Sequence, residues 1–80
     1  MLEERVRAVM SDLFGVAPEE IGAEASPRTI ENWDSLQHLN LALALEQEFD
    51  VQFTTDDIAG MTDFARVVAT VQKRLPVAAA

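Results

Sequence analysis

Residues 32–49 read NWDSLQHLNLALALEQEF and predict the central helix of the chain. Asp34 precedes the apolar positions, where its side chain can accept hydrogen bonds from free backbone N–H groups. Gln37 follows three residues later, as in a partial capping box. Apolar residues then recur as far as Phe49. We therefore predict a helix from Asp34 to about Phe49.

This helix carries more apolar surface than a core-facing helix needs. At about 100° per residue, its apolar positions span roughly 200° of the helix circumference. A stripe of about 100° is enough to pack against a core. We expect one face, formed by Leu41, Leu45 and Phe49, to be buried. We expect the second apolar face to be at least partly exposed: Leu36, Leu39 and Leu43.

The apolar spacing before this stretch predicts a first helix over Leu2–Phe14, ended by Gly15. A long connection, residues 16–33, contains two prolines and should be anchored to the core by Val16, Ile21 and Ile30. A connection of this length favours a helical bundle with a crossover.

After the central helix, a short helix is predicted from Thr55 to about Gly60, capped by Thr54 or Thr55. A last helix is predicted from about Asp63 to Leu75, capped by Thr62 and stopped by Pro76. The predicted fold is all-α: a small four-helix bundle of three main helices and one short helix, with a long first loop.

Length and composition limit the possible classes of protein. At 80 residues and 8.8 kDa the chain is one domain, predicted over residues 1–76, with a frayed tail at 77–80. The absence of cysteine excludes disulfides and thiolate metal sites, and the single histidine cannot build a histidine-based one. We predict no metal site. No signal peptide or membrane span is recognised, so we expect a cytoplasmic location. We also expect the protein to be a monomer.

The net charge of -8 is concentrated in the middle of the chain. Residues 29–65 hold eight acids and no lysine or arginine, whereas the remainder is balanced. Such a field repels phosphates, so nucleic acid and anionic membranes are not expected partners. The field either steers a basic partner or keeps the surface solvated, and charge alone does not separate these two roles.

Asp34, Ser35 and His38 invite comparison with a hydrolytic triad, but the pattern does not support one. Neighbouring helix positions do not face each other, so Asp34 is badly placed to orient His38. The chain also lacks a Gly-x-Ser-x-Gly elbow. We predict no catalytic residue. The serine is then either part of a helix cap or an attachment point. His38 is expected to be a partly buried packing residue, and Trp33 a residue at the edge of the core.

The Asp34-Ser35-Leu36 triplet, the leucines that follow it and the Leu-Glu-Gln-Glu-Phe ending at residues 45–49 resemble the acyl carrier protein family over about residues 2–75. The resemblance implies a carrier, not an enzyme. It implies that Ser35 bears 4'-phosphopantetheine, added from coenzyme A by a phosphopantetheinyl transferase. Asp34 would be recognised by this transferase, and Leu36 would flank the site. The implied partner-binding residues are Leu36, Leu39, Leu43, Glu46, Asp56 and Asp57.

In such carriers the thiol of the arm holds acyl groups as thioesters for the acyl-loading and acyl-processing enzymes of fatty-acid, polyketide or related specialised biosynthesis. Gln37 and Asn40 stand where carriers of fatty-acid synthesis usually have acids. The Trp33–Leu36 string is more similar to discrete carriers of specialised pathways, such as polyketide synthesis. A peptidyl or aminoacyl carrier stays open as an alternative. So does a helical adaptor that has no prosthetic group and grips a partner through the exposed leucines.

Overall fold

The computed structural model describes residues 2–75 and is all-helical over that range. It contains α1 (Leu2–Phe14), a single 3-10 turn (Pro18–Glu20), α2 (Ser35–Phe49), α3 (Thr55–Gly60) and α4 (Phe64–Arg74). The predicted bundle of three main helices and one short helix is confirmed. The predicted tail at 77–80 lies outside the described residues, so the domain limits stay a prediction.

The ends of the first three helices follow from local chemistry that the sequence displays. Gly15 follows α1 with a φ of 70°, a left-handed conformation that glycine adopts without strain. The Asp34 side chain caps α2 by accepting a hydrogen bond from the backbone N–H of Gln37. Thr54 caps α3, and Asp57 completes that capping box from the third helical position. These boundaries match the predicted ones, except that α2 begins at Ser35, one residue after the predicted start, with Asp34 as its cap.

The cap of the last helix was predicted wrongly. Asp63, rather than Thr62, precedes the first helical residue of α4, and its Oδ1 accepts a hydrogen bond from the backbone N–H of Arg66 at 2.8 Å. The helix begins at Phe64, one residue later than expected, which moves the capping position from the threonine to the aspartate. Either side chain can cap a helix, so composition alone did not distinguish them.

The central helix has the two apolar faces that its sequence predicts. Leu41, Leu45 and Phe49 are buried in a core that they share with residues of α1 and α4. Leu36, Leu39 and Leu43 are 68%, 53% and 57% exposed. The broad apolar arc is therefore divided between the core and the surface.

The long connection is held against the bundle by buried side chains and by bonds to its backbone. Ile21 and Ile30 are buried, and Val16 packs against the same core. The side chain of Arg7 donates to the Ile21 carbonyl at 2.8 Å, and that of Asn32 donates to the Phe14 carbonyl at 2.7 Å. These contacts fix the connection immediately before α2.

Among the described helices, none has the length and apolar character needed to cross a membrane.

Candidate functional site

Ser35 is the first residue of α2 and is exposed. The capping role belongs to its neighbour: Asp34 Oδ1 accepts from the Gln37 N–H at 2.9 Å, and the Asp34 carbonyl accepts from the His38 N–H at 2.8 Å. The serine hydroxyl therefore stands at the start of the helix without having to terminate it. Its position leaves it open to a large modifying partner.

The other two serines of the chain are less accessible. Ser11 is partly buried, and its hydroxyl donates to the Val16 carbonyl. Ser26 is also partly buried, and its hydroxyl oxygen accepts from the Arg28 N–H at 3.2 Å. Ser35 is the one exposed serine among residues 2–75.

A groove of about 490 Å³ adjoins Ser35. Residues from three parts of the chain line it: the long connection, the start of α2, and the end of α3 with the residues that follow. The lining residues are Pro27, Trp33, Asp34, Ser35, His38, Ala59, Met61 and Thr62. Sequence reasoning placed Asp34 and Ser35 together but missed the wall formed by Ala59, Met61 and Thr62, because no pattern in the chain links those residues to Ser35.

Trp33 and His38 meet at the groove. Trp33 is 1% exposed and stacks on Phe14 with 5.5 Å between ring centroids, so it belongs to the core rather than to its edge. The Trp33 indole Nε1 lies 2.9 Å from His38 Nδ1, and His38 Nε2 lies 2.7 Å from the Ile58 carbonyl oxygen. His38 is partly buried, as expected. Both of its ring nitrogens are used in these bonds, and the Asp34 carboxylate caps the helix, so no Asp–His–Ser relay is formed.

The exposed leucines and part of the acidic surface lie on or near α2. Leu36, next to Ser35, begins an apolar strip that continues through Leu39 and Leu43 along the exposed face. Asp56, in the first turn of α3, is exposed. Glu46 is partly buried, and its Oε2 accepts from the Phe53 backbone N–H at 2.9 Å. Glu46 thus also braces the segment between α2 and α3.

Asp57 requires a correction, because the sequence placed it on the partner-binding surface. Its side chain is 2% exposed, and its two carboxylate oxygens bond Lys73 Nζ at 2.8 Å and Arg74 Nε at 2.7 Å. The bond from Arg74, followed by the bond from Lys73, holds the pKa of the Asp57 carboxyl well below its ordinary value of 3.8. The same pairing raises the pKa of the Arg74 guanidinium. Asp57 serves the α3–α4 contact instead of presenting charge to a partner.

The acidic segment is also partly neutralised by bases from outside it. Glu48 pairs with Arg5 of α1 at 3.1 Å, and Asp63 pairs with Arg66 of α4 at 3.8 Å. With Asp57, three of the eight acids in residues 29–65 have a basic partner. The one-sided charge of the sequence is therefore smaller in the folded chain than the residue count suggests.

The residues around Ser35 suit a phosphate-linked arm. An exposed hydroxyl can be esterified without opening the core. The N-terminus of α2 carries partial positive charge that favours a phosphate there, although the Asp34 carboxylate opposes it. The adjoining groove offers an apolar floor at Trp33, an apolar wall residue at Met61, and polar edges at Asp34 and Thr62.

The sequence is similar to those of known proteins. The family model for the phosphopantetheine attachment site matches residues 4–71. An acyl carrier protein from Chlamydia trachomatis serovar D is 32% identical over 73 residues, which cover 91% of this chain and 95% of the relative. An acyl carrier protein from Akkermansia muciniphila is 31% identical over 72 residues, which cover 90% of each chain.

A solved structure shows the same fold. The solution structure of a holo acyl carrier protein from Geobacter metallireducens superposes with a TM-score of 0.80 at 22% identity, covering 90% of this chain and 83% of that one. Members of this family are carriers rather than enzymes, and their attachment domain bears covalent phosphopantetheine. On its sequence and its fold, this chain belongs to the acyl carrier protein family.

Proposed function

We propose that Ser35 is the residue to which 4'-phosphopantetheine is attached, and that the chain carries acyl groups on this arm for a specialised biosynthetic pathway. The observation that carries the assignment is the exposure of the Ser35 hydroxyl at the first position of α2, beside the groove. The other two serines are partly buried, with their hydroxyl groups bonded inside the chain.

In the attachment step, Ser35 Oγ forms a new bond to the phosphorus of coenzyme A that bears the pantetheine. The bond from that phosphorus to adenosine 3',5'-bisphosphate breaks, and the hydroxyl proton is lost to the transferase or solvent. The chain contributes an accessible nucleophile and the dipole of α2, which favours the phosphate. Once bound, the arm supplies a thiol that holds acyl groups as thioesters.

The partner surface is proposed to consist of Leu36, Leu39 and Leu43 with the acids Glu46 and Asp56. An exposed apolar patch with a charged rim suits a protein–protein contact. Its acidic rim favours basic surfaces on the transferase and on the acyl-loading and acyl-processing enzymes.

The pathway assignment rests on the residues near the attachment site. Gln37 and Asn40 reduce the negative charge of the first two turns of α2 relative to the carriers of fatty-acid synthesis. We infer that the cognate enzymes belong to a polyketide or related specialised pathway, with peptidyl or aminoacyl cargo as the alternative. Because members of the family carry covalent phosphopantetheine, we do not favour the alternative of a helical adaptor without a prosthetic group. A cytoplasmic location and a monomeric state stay predictions.

The attachment is tested by intact mass after incubation with coenzyme A and a broad-specificity phosphopantetheinyl transferase. The wild type should gain the mass of one phosphopantetheinyl group, and Ser35→Ala should gain none. Ser26→Ala is the matched control and should gain the same mass as the wild type. An unmodified wild type, or an equal gain on Ser35→Ala, would overturn the proposal.

A further inference from the structure

The His38 side chain joins three elements around the groove. A tryptophan Nε1 can only donate a hydrogen bond, and a backbone carbonyl can only accept one. His38 Nδ1 therefore accepts from Trp33, at 2.9 Å, and His38 Nε2 donates to the Ile58 carbonyl, at 2.7 Å. These two bonds define a single neutral tautomer of the ring. Through it, α2 is bonded to the connection on one side and to α3 on the other.

The two hydrogen bonds of His38 lie between α2 and its neighbours, at the place where an acyl chain attached at Ser35 would have to pass to reach the core. Ser35 and His38 both line the groove, and they are three residues apart, on neighbouring turns of α2. Trp33 forms the floor and stacks on the buried Phe14. Met61, from the opposite wall, is 1% exposed and belongs to the core. The groove and the core are thus separated by Trp33 and Met61, and His38 bonds Trp33 on one side and the backbone of α3 on the other.

An alkyl chain on the arm is driven to leave water, and the bundle core is the apolar volume nearest to it. To enter that core beside Ser35, the chain would have to part α3 from α2. Parting them would break the bond from His38 Nε2 to the Ile58 carbonyl and leave that partly buried carbonyl without a partner. The contact between α2 and α3 is therefore held by a hydrogen bond, and the cost of breaking it opposes the entry of an alkyl chain.

On the proposed attachment at Ser35, we propose that His38 is a positioning residue that restricts the cargo to the groove. The cargo class that this arrangement favours is a short or polar acyl group, or an aminoacyl group. Such a group gains little from the core and can lie between the apolar floor and the polar edges at Asp34 and Thr62. Long unsubstituted alkyl chains remain in contact with solvent or with a partner enzyme.

The test compares the wild type and His38→Ala after loading of the arm with acetyl or dodecanoyl groups, with loading verified by intact mass. A chain that enters the folded core stabilises the folded state, so the melting temperature reports its entry. The acetyl and dodecanoyl forms of the wild type should melt together. In His38→Ala the dodecanoyl form should melt about 4 °C or more above the acetyl form. The emission of Trp33, the only tryptophan, should shift with chain length in the variant alone.

Gln37→Ala, on the same turn of α2, is the matched control and should behave as the wild type. If His38 were only structural, its removal would lower the melting temperature of both acyl forms equally, and that result would overturn the proposal. A wild-type dodecanoyl form that melts well above the acetyl form would also overturn it. If His38→Ala does not fold, Trp33→Phe decides by its melting temperatures, because it removes the indole donor and keeps an aromatic ring at the position. A chain that cannot be loaded at Ser35 would instead overturn the proposed function.

Discussion

Asp57 Oδ2 lies 2.7 Å from Arg74 Nε, and this contact ties α3 to the last turn of α4. The same carboxylate caps α3 by accepting from the Thr54 N–H at 2.9 Å. One side chain therefore sets both the start of α3 and its distance from α4. Ala59, Met61 and Thr62, at the end of α3 and just after it, form a wall of the groove. By fixing the position of α3, Asp57 therefore influences the site without lining it.

We expect the Asp57 carboxylate to make the fold sensitive to acid. The pKa of Asp57 is lowered in the folded chain, so the folded state binds fewer protons than the unfolded state near the ordinary value of 3.8. Its stabilisation is fully present above that pH and is lost as the pH falls below it. Asp57→Asn should lower the melting temperature at pH 7 and flatten the acid limb of the stability curve, as measured by thermal denaturation. Asp56→Asn, at an exposed position, should do neither.

The two faces of α2 should differ in their contribution to stability. Leu45 is fully buried, and Leu45→Ala should lower the free energy of unfolding by about 2–5 kcal/mol. Leu43 is 57% exposed, and Leu43→Ala should change it by no more than about 0.5 kcal/mol. Urea denaturation measures both variants. Similar losses would show that the division into a core face and an exposed face is wrong.

The exposed leucines should contribute to partner binding rather than to folding. Leu39→Ala should leave the melting temperature nearly unchanged and weaken transferase binding by about 1 kcal/mol or more, roughly fivefold in Kd. Titration calorimetry with the transferase measures the affinity. Gln72→Ala removes an exposed side chain from α4 and should bind as the wild type. If the wild type, Leu39→Ala and Gln72→Ala bound with equal affinity, the exposed face of α2 would not be the contact surface for the transferase.

The backbone at Gly15 predicts a specific cost of substitution. Its φ of 70° is unfavourable for a residue with a Cβ, so Gly15→Ala should lower the free energy of unfolding by about 1–2 kcal/mol. No neighbouring atom lies within 4 Å of an added Cβ, so the cost comes from the backbone rather than from a clash. Gly22 has equal space without a positive φ, and Gly22→Ala is the control. A neutral Gly15→Ala would contradict the assigned conformation.

The acidic segment should make stability depend on salt. Mutual repulsion among its carboxylates is screened over about 10 Å at 0.1 M salt, so the melting temperature should rise between low and moderate salt. A divalent cation should have a larger effect. Neutralising two exposed acids, Asp50→Asn with Asp56→Asn, should raise the melting temperature at low salt and reduce the dependence. A wild-type melting temperature that is flat or falls with salt would refute the repulsion.

The helices could be predicted because their signals are local. The apolar spacing of Leu2–Phe14 and the caps at Asp34 and Thr54 each act within a few residues, so the chain displays them directly. The error at Thr62 was a choice between two adjacent residues that can both cap a helix. The burial of Trp33, two residues before Ser35, was underestimated from the sequence, which placed it at the edge of the core. Its partners Phe14 and His38 contact it only in the folded chain.

The role of Asp57 could not be predicted, because its partners lie sixteen and seventeen residues away on another helix. Counting charge along the chain grouped it with the surface acids around it. The bond between His38 and the Ile58 carbonyl was hidden for the same reason, since it spans twenty residues and uses a backbone atom that has no side-chain signature. Contacts between distant elements thus account for what the sequence did not reveal.

Asp34 caps α2 and Ser35 does not, so the side chain at position 35 can be changed without loss of the cap. Because the aspartate terminates the helix, the next position can be rewritten without touching the architecture. A cysteine installed at that position would offer sulfur chemistry to haloacetamide or maleimide reagents, and synthetic arms of any length could be grafted onto the same scaffold. The domain would then present whichever group is attached at position 35, and the attached group rather than the protein would determine the chemistry.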